Sequence, residues 1–164
     1  MTRDFIVRPM RQEDLTAVSD IDALCFEEPW PPRSFAYELT TTYSVCLVAE
    51  GGDKQILGAI VVWVIVDEAH IATIAVHPDH QNQGVGAVLL AEGLIRAAER
   101  GAVMSMLEVR VSNQPALALY YRFGYHLVGV REKYYQNNNE DALLLNLDQI
   151  DSDRLRNLIA LKSV

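Results

Sequence analysis

A loop with two glycines occupies residues 77–86, between a stretch rich in β-branched residues and a long helical pattern. Glycine at a helix start allows close approach to the backbone, and the free N–H groups there can hold a phosphate. An ordinary loop with glycines for turn geometry is the alternative. No Gly-Lys pair followed by Ser or Thr occurs, which excludes a P-loop. A dinucleotide turn is a weak rival, because Leu89 stands where a third small residue is needed.

Two further residues could move protons. Glu108 shares one face of a predicted strand with Arg110, so its carboxylate is either paired with that arginine or held for proton transfer, and the residues alone favour the pair. Tyr120 lies on the apolar stripe of a predicted helix. A core tyrosine with a bonded hydroxyl is the commoner case there, and a proton donor is the other. Asn113 and Pro115 suit the start of that helix.

Periodicity predicts the elements that must position these residues. Alternation and β-branched content predict strands at 5–8, 45–50, 56–66, 71–76, 103–111, 126–131 and 142–147. Helical spacing predicts helices at 11–25, 31–40, 84–100, 113–123 and 148–164. The strands between residues 45 and 76 are expected to form an antiparallel meander, with the apolar strand 56–66 in its middle. This order predicts a mixed α/β sheet.

The pattern Gln81-x-x-Gly84-x-Gly86, with a strand before it and a helix after it, resembles the pyrophosphate signature of the GNAT superfamily of acetyltransferases. That resemblance implies a single α/β (α+β) domain with a mixed, mostly antiparallel sheet of six to seven strands and helices on both faces. It also implies acetyl-CoA as cosubstrate, bound where the strand 69–76 meets the helix 84–100. The implied cofactor-binding residues there are Ile74, Ala75, Val76, Gln81, Asn82, Gln83, Gly84, Val85 and Gly86.

Further segments together resemble the RimI type of ribosomal-protein alanine N-acetyltransferase. They are residues 28–30, 67–69, 74–76, 107–113, 118–120, 123–125, 131–135 and 140–142, in the order of that subfamily. The resemblance implies Glu108 as general base acting through water, Tyr120 as general acid, and Asn113 and Tyr120 as contacts to acetyl-CoA. Residues 1–147 would then be the acetyltransferase domain, and residues 148–164 a helical extension of it.

The same resemblance implies that the acceptor is the N-terminal α-amine of a protein or peptide, such as a ribosomal protein. An α-amine has a pKa of about 7.7 to 8.0, against about 10.4 for lysine, so a modest base suffices near neutral pH. Trp30, Tyr134 and Tyr135 are expected to line the acceptor groove, with packing over the sheet as the alternative. A small amine or lysine side chain as acceptor stays open, as does a non-catalytic acetyl-CoA-binding module.

Composition argues against several other classes of protein. The net charge of -8 disfavours a nucleic-acid partner. The longest apolar run, 56–66, is too short to span a bilayer, and the charged N-terminus is unlike a secretory signal, so we expect no membrane association and a cytoplasmic location. Cys25 and Cys46 are expected to be buried free thiols. No metal is expected, because His77 and His80 have no further ligand nearby.

Overall fold

The secondary structure follows the predicted order closely. A computed structural model describes residues 3–160. The strands are β1 Phe5–Pro9, β2 Ser44–Gly51, β3 Ile56–Ile65, β4 Glu68–Val76, β5 Met104–Arg110, β6 His126–Tyr135 and β7 Glu140–Leu147. The helices are α1 Leu15–Cys25, α2 Pro32–Glu38, α3 Val85–Glu99, α4 Gln114–Phe123 and α5 Ser152–Ala160. No helix within residues 3–160 is long and apolar enough to cross a membrane.

All seven strands form one sheet in the order β1-β2-β3-β4-β5-β7-β6. Every neighbouring pair is antiparallel except β4 with β5. The parallel pair needs a crossover connection, which α3 supplies. The predicted meander and the mixed, mostly antiparallel α/β sheet are therefore confirmed.

Helices cover both faces of the sheet, and β3 shows why. Its side chains alternate, so Ile60 and Val62 pack in a cluster with α3, α4 and α5, while Ala59 and Val61 pack in a second cluster with α1 and α2. Both faces of β3 are buried, which explains its continuous apolar run. The strand is interior, as predicted.

α3 is the largest helical contribution to the core, with ten of its 15 residues buried. Three of its leucines, Leu89, Leu90 and Leu94, are fully buried, and each contributes roughly 1.5–3 kcal/mol to burial free energy. Gly93 lets the helix lie close to β3, since a Cβ there would come within 3.1 Å of side-chain atoms of Ile60. The helix ends at Glu99, just before Gly101 with φ 101°.

The predicted helix 11–25 begins differently. Residues Gln12–Asp14 form a single 3-10 turn, and α1 starts only at Leu15. The Asp14 carboxylate accepts the Arg11 N–H at 2.7 Å and pairs with Arg8 at 2.8 Å, which tightens the first turn. Hydrogen bonding to Arg8 also lowers the pKa of Asp14. This pairing spans separate elements, so the helical pattern does not reveal it.

The C-terminal segment also departs from prediction. The helix expected at 148–164 begins at Ser152, because Ile150 N donates to Val103 O at 2.8 Å and holds the preceding residues against the sheet. Leu155 and Ile159 are buried in the cluster beside α3. Residues 161–164 of the predicted helix lie outside the described residues. β6 is longer than predicted, reaching Tyr135.

Candidate active site

The sheet opens between β4 and β5. These strands pair only from Glu68–Met104 to His70–Met106. The register between β3 and β4 then shifts, leaving Ala72 as an extra residue on β4, and such a bulge bends a strand. Because His77 N donates to Leu57 O at 2.8 Å, the alternation of the ladder turns the backbone of residues 74 and 76 away from β3, toward the opening.

The glycine turn follows directly and starts α3. Gly84 has φ 85°, a left-handed conformation that favours glycine, and the first helical hydrogen bond runs from Val88 N to Gly84 O at 3.1 Å. The N–H groups of residues 85–87 therefore lack helical acceptors, and they carry the positive end of the helix dipole. Gln81 Nε2 donates to Val76 O at 3.0 Å and ties the turn to β4.

This turn borders a cleft of about 490 Å³, here called the turn cleft. Its lining includes eight of the nine residues that the signature predicts, namely Ile74, Ala75, Val76, Gln81, Asn82, Gly84, Val85 and Gly86, together with Asn113 and Tyr120. Gln83 does not line it. A second cleft of about 270 Å³, the loop cleft, lies between residues 26–31, β4, β5 and Tyr135. The two clefts share Phe26, Ile74, Asn113, Ala116 and Tyr120.

Tyr120 therefore lies where the clefts meet. It is 5% exposed, and burial raises the pKa of its hydroxyl. Within residues 3–160 that hydroxyl makes no hydrogen bond. The neighbouring Tyr125, whose ring centre is 5.6 Å away, is the core tyrosine with a bonded hydroxyl, 2.6 Å from Ser105 Oγ. The Tyr120 phenol is thus held protonated and free to face a ligand.

Glu108 lies on the loop-cleft side. Its carboxylate is 3.4 Å from Arg131 Nη2, and the side chain is 33% exposed. Hydrogen bonding to Glu108 raises the pKa of Tyr134. The pairing with Arg110 that the residues alone favoured is wrong, because Arg110 pairs with Glu140 at 3.4 Å. Arg131 reaches Glu108 from β6, beyond β7, and Glu140 reaches Arg110 from two residues before Ala142, the residue opposite Arg110 on β7.

Asn113 lies at the start of α4, as predicted. Its Oδ1 accepts the N–H of Ala116 at 3.3 Å, with Pro115 in the first turn. This cap fixes the side chain between the two clefts, so one residue both begins the helix that carries Tyr120 and borders both cavities.

Residues 15–125 match the family model described as the Acetyltransferase (GNAT) family. The chain belongs to this family. A Bacillus subtilis protein provisionally named ribosomal protein bS18-alanine N-acetyltransferase is 40% identical over 85% of this chain and 92% of its own length. N-alpha-acetyltransferase RimI of Mycobacterium tuberculosis is 31% identical over 92% of this chain and 96% of its own.

Among solved structures, the crystal structure of the ribosomal-protein-S18-alanine N-acetyltransferase from Escherichia coli superposes with a TM-score of 0.79. It is 30% identical and covers 87% of this chain and 92% of its own. The similarity to the RimI type is confirmed, as is the N-acetyltransferase class. The chain is a RimI-type GNAT N-acetyltransferase.

Of the three aromatic residues expected at the acceptor groove, two line the loop cleft and one does not. Trp30 lines the loop cleft and stacks on Trp63, with ring centres 6.3 Å apart, and Tyr135 lines it from the other side. Tyr134 lies outside the lining, near Glu108, with Arg131 5.3 Å from its ring centre. Two of the three residues therefore meet in one cavity.

Sequence reasoning missed the residues that hold these groups. Asp22, 2% exposed, accepts the N–H of Trp30 at 2.7 Å, and burial raises the pKa of its carboxyl. Arg131 binds Glu108 from β6. The sequence offered one signal for Asp22, a carboxylate four residues after Val18 on the apolar stripe of α1. The contact of Arg131 with Glu108 could be found only from the register of the strands.

The cysteines of the GNAT domain are free but half-buried, not buried as expected. Cys25 lines the turn cleft and its thiol donates to Val76 O at 3.1 Å, which explains its position at the end of α1. Burial raises the pKa of Cys46 to about 12. Within residues 3–160, no cluster of three or more His, Cys, Asp or Glu side chains could hold a metal ion.

Proposed function

We propose that this protein transfers the acetyl group of acetyl-CoA to the N-terminal α-amine of a protein, with a ribosomal protein as the candidate acceptor. One observation carries the proposal: two clefts of different construction meet at Tyr120, and the carboxylate of Glu108 faces the loop cleft. A donor and an acceptor can thus approach one point from opposite sides. The names of the related proteins, which specify an alanine of a ribosomal protein, support this acceptor class.

The turn cleft fits acetyl-CoA. Left-handed Gly84 and the N–H groups of residues 85–87, which lack helical acceptors, offer backbone donors for a pyrophosphate. The outward N–H and C=O of residue 74 and the N–H of residue 76 offer strand-like pairing to an amide-containing arm, while Val76 O accepts from Gln81 and Cys25. We assign the binding role to Ile74–Val76 on β4, to the turn 81–86 and to Asn113. When bound there, acetyl-CoA supplies a thioester-activated acetyl group.

Glu108 is assigned as general base. Its partial exposure leaves room for a water molecule between the carboxylate and the acceptor amine. Arg131, 3.4 Å away on β6, holds the carboxylate in place. An α-amine loses its proton near neutral pH at little cost, so this modest base suffices.

Tyr120 is assigned as general acid. Its buried phenol keeps its proton through the neutral range, and its unpaired hydroxyl can donate to the departing sulfur. Because the pKa of the phenol is raised above its ordinary value, whereas a thiol titrates near 8.5, the hydroxyl first acts as a hydrogen-bond donor. Transfer of the proton to sulfur is unfavourable from this weaker acid, so the hydroxyl chiefly stabilises the departing thiolate by donating a hydrogen bond, and a tyrosinate formed by full transfer regains its proton from solvent.

The loop cleft is assigned to the acceptor. Trp30 and Tyr135 give it apolar walls. Its three carboxylates, on Glu27, Glu28 and Glu108, outnumber its one guanidinium, on Arg110, and so favour a cationic amine over an anionic group. Tyr134 is assigned to the rim, where Arg131 lies between its ring and the Glu108 carboxylate.

The decisive measurement is thiol release from acetyl-CoA with short peptides that begin with Ala, Ser, Met or Glu. An α-blocked peptide with a free lysine and spermidine serve as controls. We expect transfer to free N-termini and little to either control. Transfer confined to lysine or spermidine would move the acceptor to the alternative class, and tight acetyl-CoA binding without transfer to any amine would indicate a binding module.

We also propose that residues 1–147 form the acetyltransferase domain and that residues 148–164 extend it, since Leu155 and Ile159 of α5 pack in the same cluster as α3. A cytoplasmic location is proposed on the ribosomal acceptor of the relatives. Fractionation of cells should place the protein with the cytosolic or ribosomal fraction. Recovery in the membrane fraction would contradict this location.

A further inference from the structure

The loop cleft has two walls that come from distant parts of the chain. One wall is the segment 26–31 between α1 and α2, and the other includes Tyr135, the first residue of the hairpin end of β6 and β7, residues 135–140. A groove between two loops keeps its width only if the loops are held together. We propose that Arg110 is the positioning residue that holds them, and that this link favours an extended peptide N-terminus over a lysine within a peptide, which carries backbone on both sides.

One guanidinium contacts four residues of the hairpin end. Arg110 Nη1 donates to Asn138 Oδ1 at 3.3 Å and lies 3.4 Å from Glu140 Oε1, while Nη2 donates to Asn137 Oδ1 at 3.2 Å. Its Cζ lies 3.8 Å from the centre of the Tyr135 ring. Arginine alone combines several donors in a fixed plane with a face that stacks on an aromatic ring. Lysine could satisfy only part of this set.

Asn137 then connects the two walls. Its Nδ2 donates to Glu27 Oε2, across 110 positions of sequence, while its Oδ1 accepts from Arg110. A guanidinium only donates and a carboxylate only accepts, so a single orientation of the amide satisfies both partners. The chain of contacts Arg110–Asn137–Glu27, here called the cross-cleft bridge, joins the end of β5 to the segment 26–31.

The bridge acts where the acceptor must enter. Arg110 lies two residues after Glu108 on β5, and Glu27, Arg110 and Tyr135 line the same cleft as that carboxylate. The distance between the walls therefore decides which amines reach Glu108 in a productive position. Fixing that distance lowers the entropic cost of placing a narrow, extended N-terminus. This inference rests on the proposed function, because it concerns the acceptor of that reaction.

A double-mutant cycle tests the bridge. Asn137→Ala and Glu27→Ala should each raise the KM for an N-terminal peptide about tenfold, as expected if peptide binding must supply the free energy of the lost intramolecular hydrogen bond, with kcat within about twofold and the acetyl-CoA KM unchanged. Because each variant breaks the same link, the double variant should be no worse than the poorer single variant. Arg110→Lys should raise the peptide KM further and increase the relative rate with the lysine peptide.

Asn139→Gly is the matched control. Residue 139 lies in the same turn with φ 55°, which glycine adopts freely, and takes no part in the bridge. It should leave the peptide KM unchanged. Additive effects of Asn137→Ala and Glu27→Ala, or an unchanged peptide KM in both, would overturn the inference.

Amide hydrogen exchange gives a readout that does not need turnover. In Asn137→Ala, exchange should become faster in the segment 26–31, although the substitution lies on the opposite wall, and should stay unchanged in α3. No change in that segment would show that the walls are independent. A wild-type protein that acetylates no peptide would refute the proposed function instead, while the exchange measurement would still decide whether the bridge exists.

Discussion

The two clefts that meet at Tyr120 differ in the parts of the chain that form them. Nearly half of the residues that line the turn cleft come from one continuous stretch, residues 74–86, whose key feature is the backbone conformation of Gly84, and most of the others come from α4. The loop cleft is made of side chains from separate segments, and its carboxylates and arginines are paired across strands and loops. A backbone site can be encoded locally, whereas a side-chain site depends on the whole fold.

Tyr120→Phe should give the largest effect, because this residue serves both clefts. We expect kcat to fall by about 10²- to 10³-fold, the usual contribution of a positioned acid. The acetyl-CoA Kd and the free energy of unfolding should hardly change, because the lost hydroxyl has no hydrogen bond within the described residues. Kinetics measures kcat, calorimetric titration measures the acetyl-CoA Kd, and urea unfolding measures the free energy of unfolding.

Tyr125→Phe is the matched control for Tyr120. It removes a hydroxyl that lies 2.6 Å from Ser105 Oγ, so it should lower stability by about 1 kcal/mol and leave kcat nearly unchanged. If both variants lose stability and neither loses rate, Tyr120 is a core residue and the clefts do not share a proton donor.

Glu108→Gln should give the second largest effect, and it should impair the reaction at the loop cleft without changing acetyl-CoA binding in the turn cleft. The amide keeps the size of the side chain but cannot take a proton, so kcat with a peptide should fall about 100-fold, while the acetyl-CoA Kd stays constant. Glu132→Gln, an exposed neighbour of Arg131 on β6, controls for the loss of a negative charge. A matching loss of rate in that control would point to overall charge and not to a base.

Gly84→Val should affect only the turn cleft. A β-branched residue at φ 85° costs roughly 1–2 kcal/mol, so the turn should distort and acetyl-CoA affinity should fall about tenfold, with the peptide KM unchanged. Gly52→Ala is the control, because a Cβ at residue 52 meets no atom within 4 Å. Calorimetry with acetyl-CoA measures the difference, and unaltered affinity in Gly84→Val would remove the turn from the site.

The same contrast explains what the sequence could predict. Strand order from β2 to β4, the buried helix α3 and the glycine turn follow from periodicity, β-branched content and capping, all of which are local. Asn113 was placed correctly for the same reason, as a cap three residues from its partner. These features need no knowledge of which strands pair.

The partners of Glu108 could not be predicted in this way. Arg131 pairs with Glu108 from β6, and Arg110 pairs with Glu140 on β7. The correct pairing therefore depends on the strand order β5–β7–β6. The chain order gives β6 before β7, which hides that arrangement. The RimI resemblance identified Glu108 and Tyr120 as candidates, but only the register shows what surrounds them.

Glu140 gives the smallest expected effect and tests the loop cleft from its outer end. Hydrogen bonds from Ser112 lower the pKa of this carboxyl from 4.5 to about 2. The ionised form is therefore favoured by folding: the stabilisation is fully present above pH 4.5 and is lost as pH falls toward 2. Glu140→Gln should lower the free energy of unfolding at pH 7, and its difference from wild type should shrink between pH 4.5 and pH 2.

Urea unfolding at several pH values measures that difference, and Glu132→Gln, which removes the same charge from an exposed position on β6, is the control. Because Glu140 binds both Ser112 and Arg110, the same variant should raise the peptide KM at neutral pH more than the acetyl-CoA KM. A pH-independent difference would mean that the carboxylate charge does not stabilise the hairpin. The loop cleft would then owe its shape to packing, as the turn cleft owes its shape to backbone conformation.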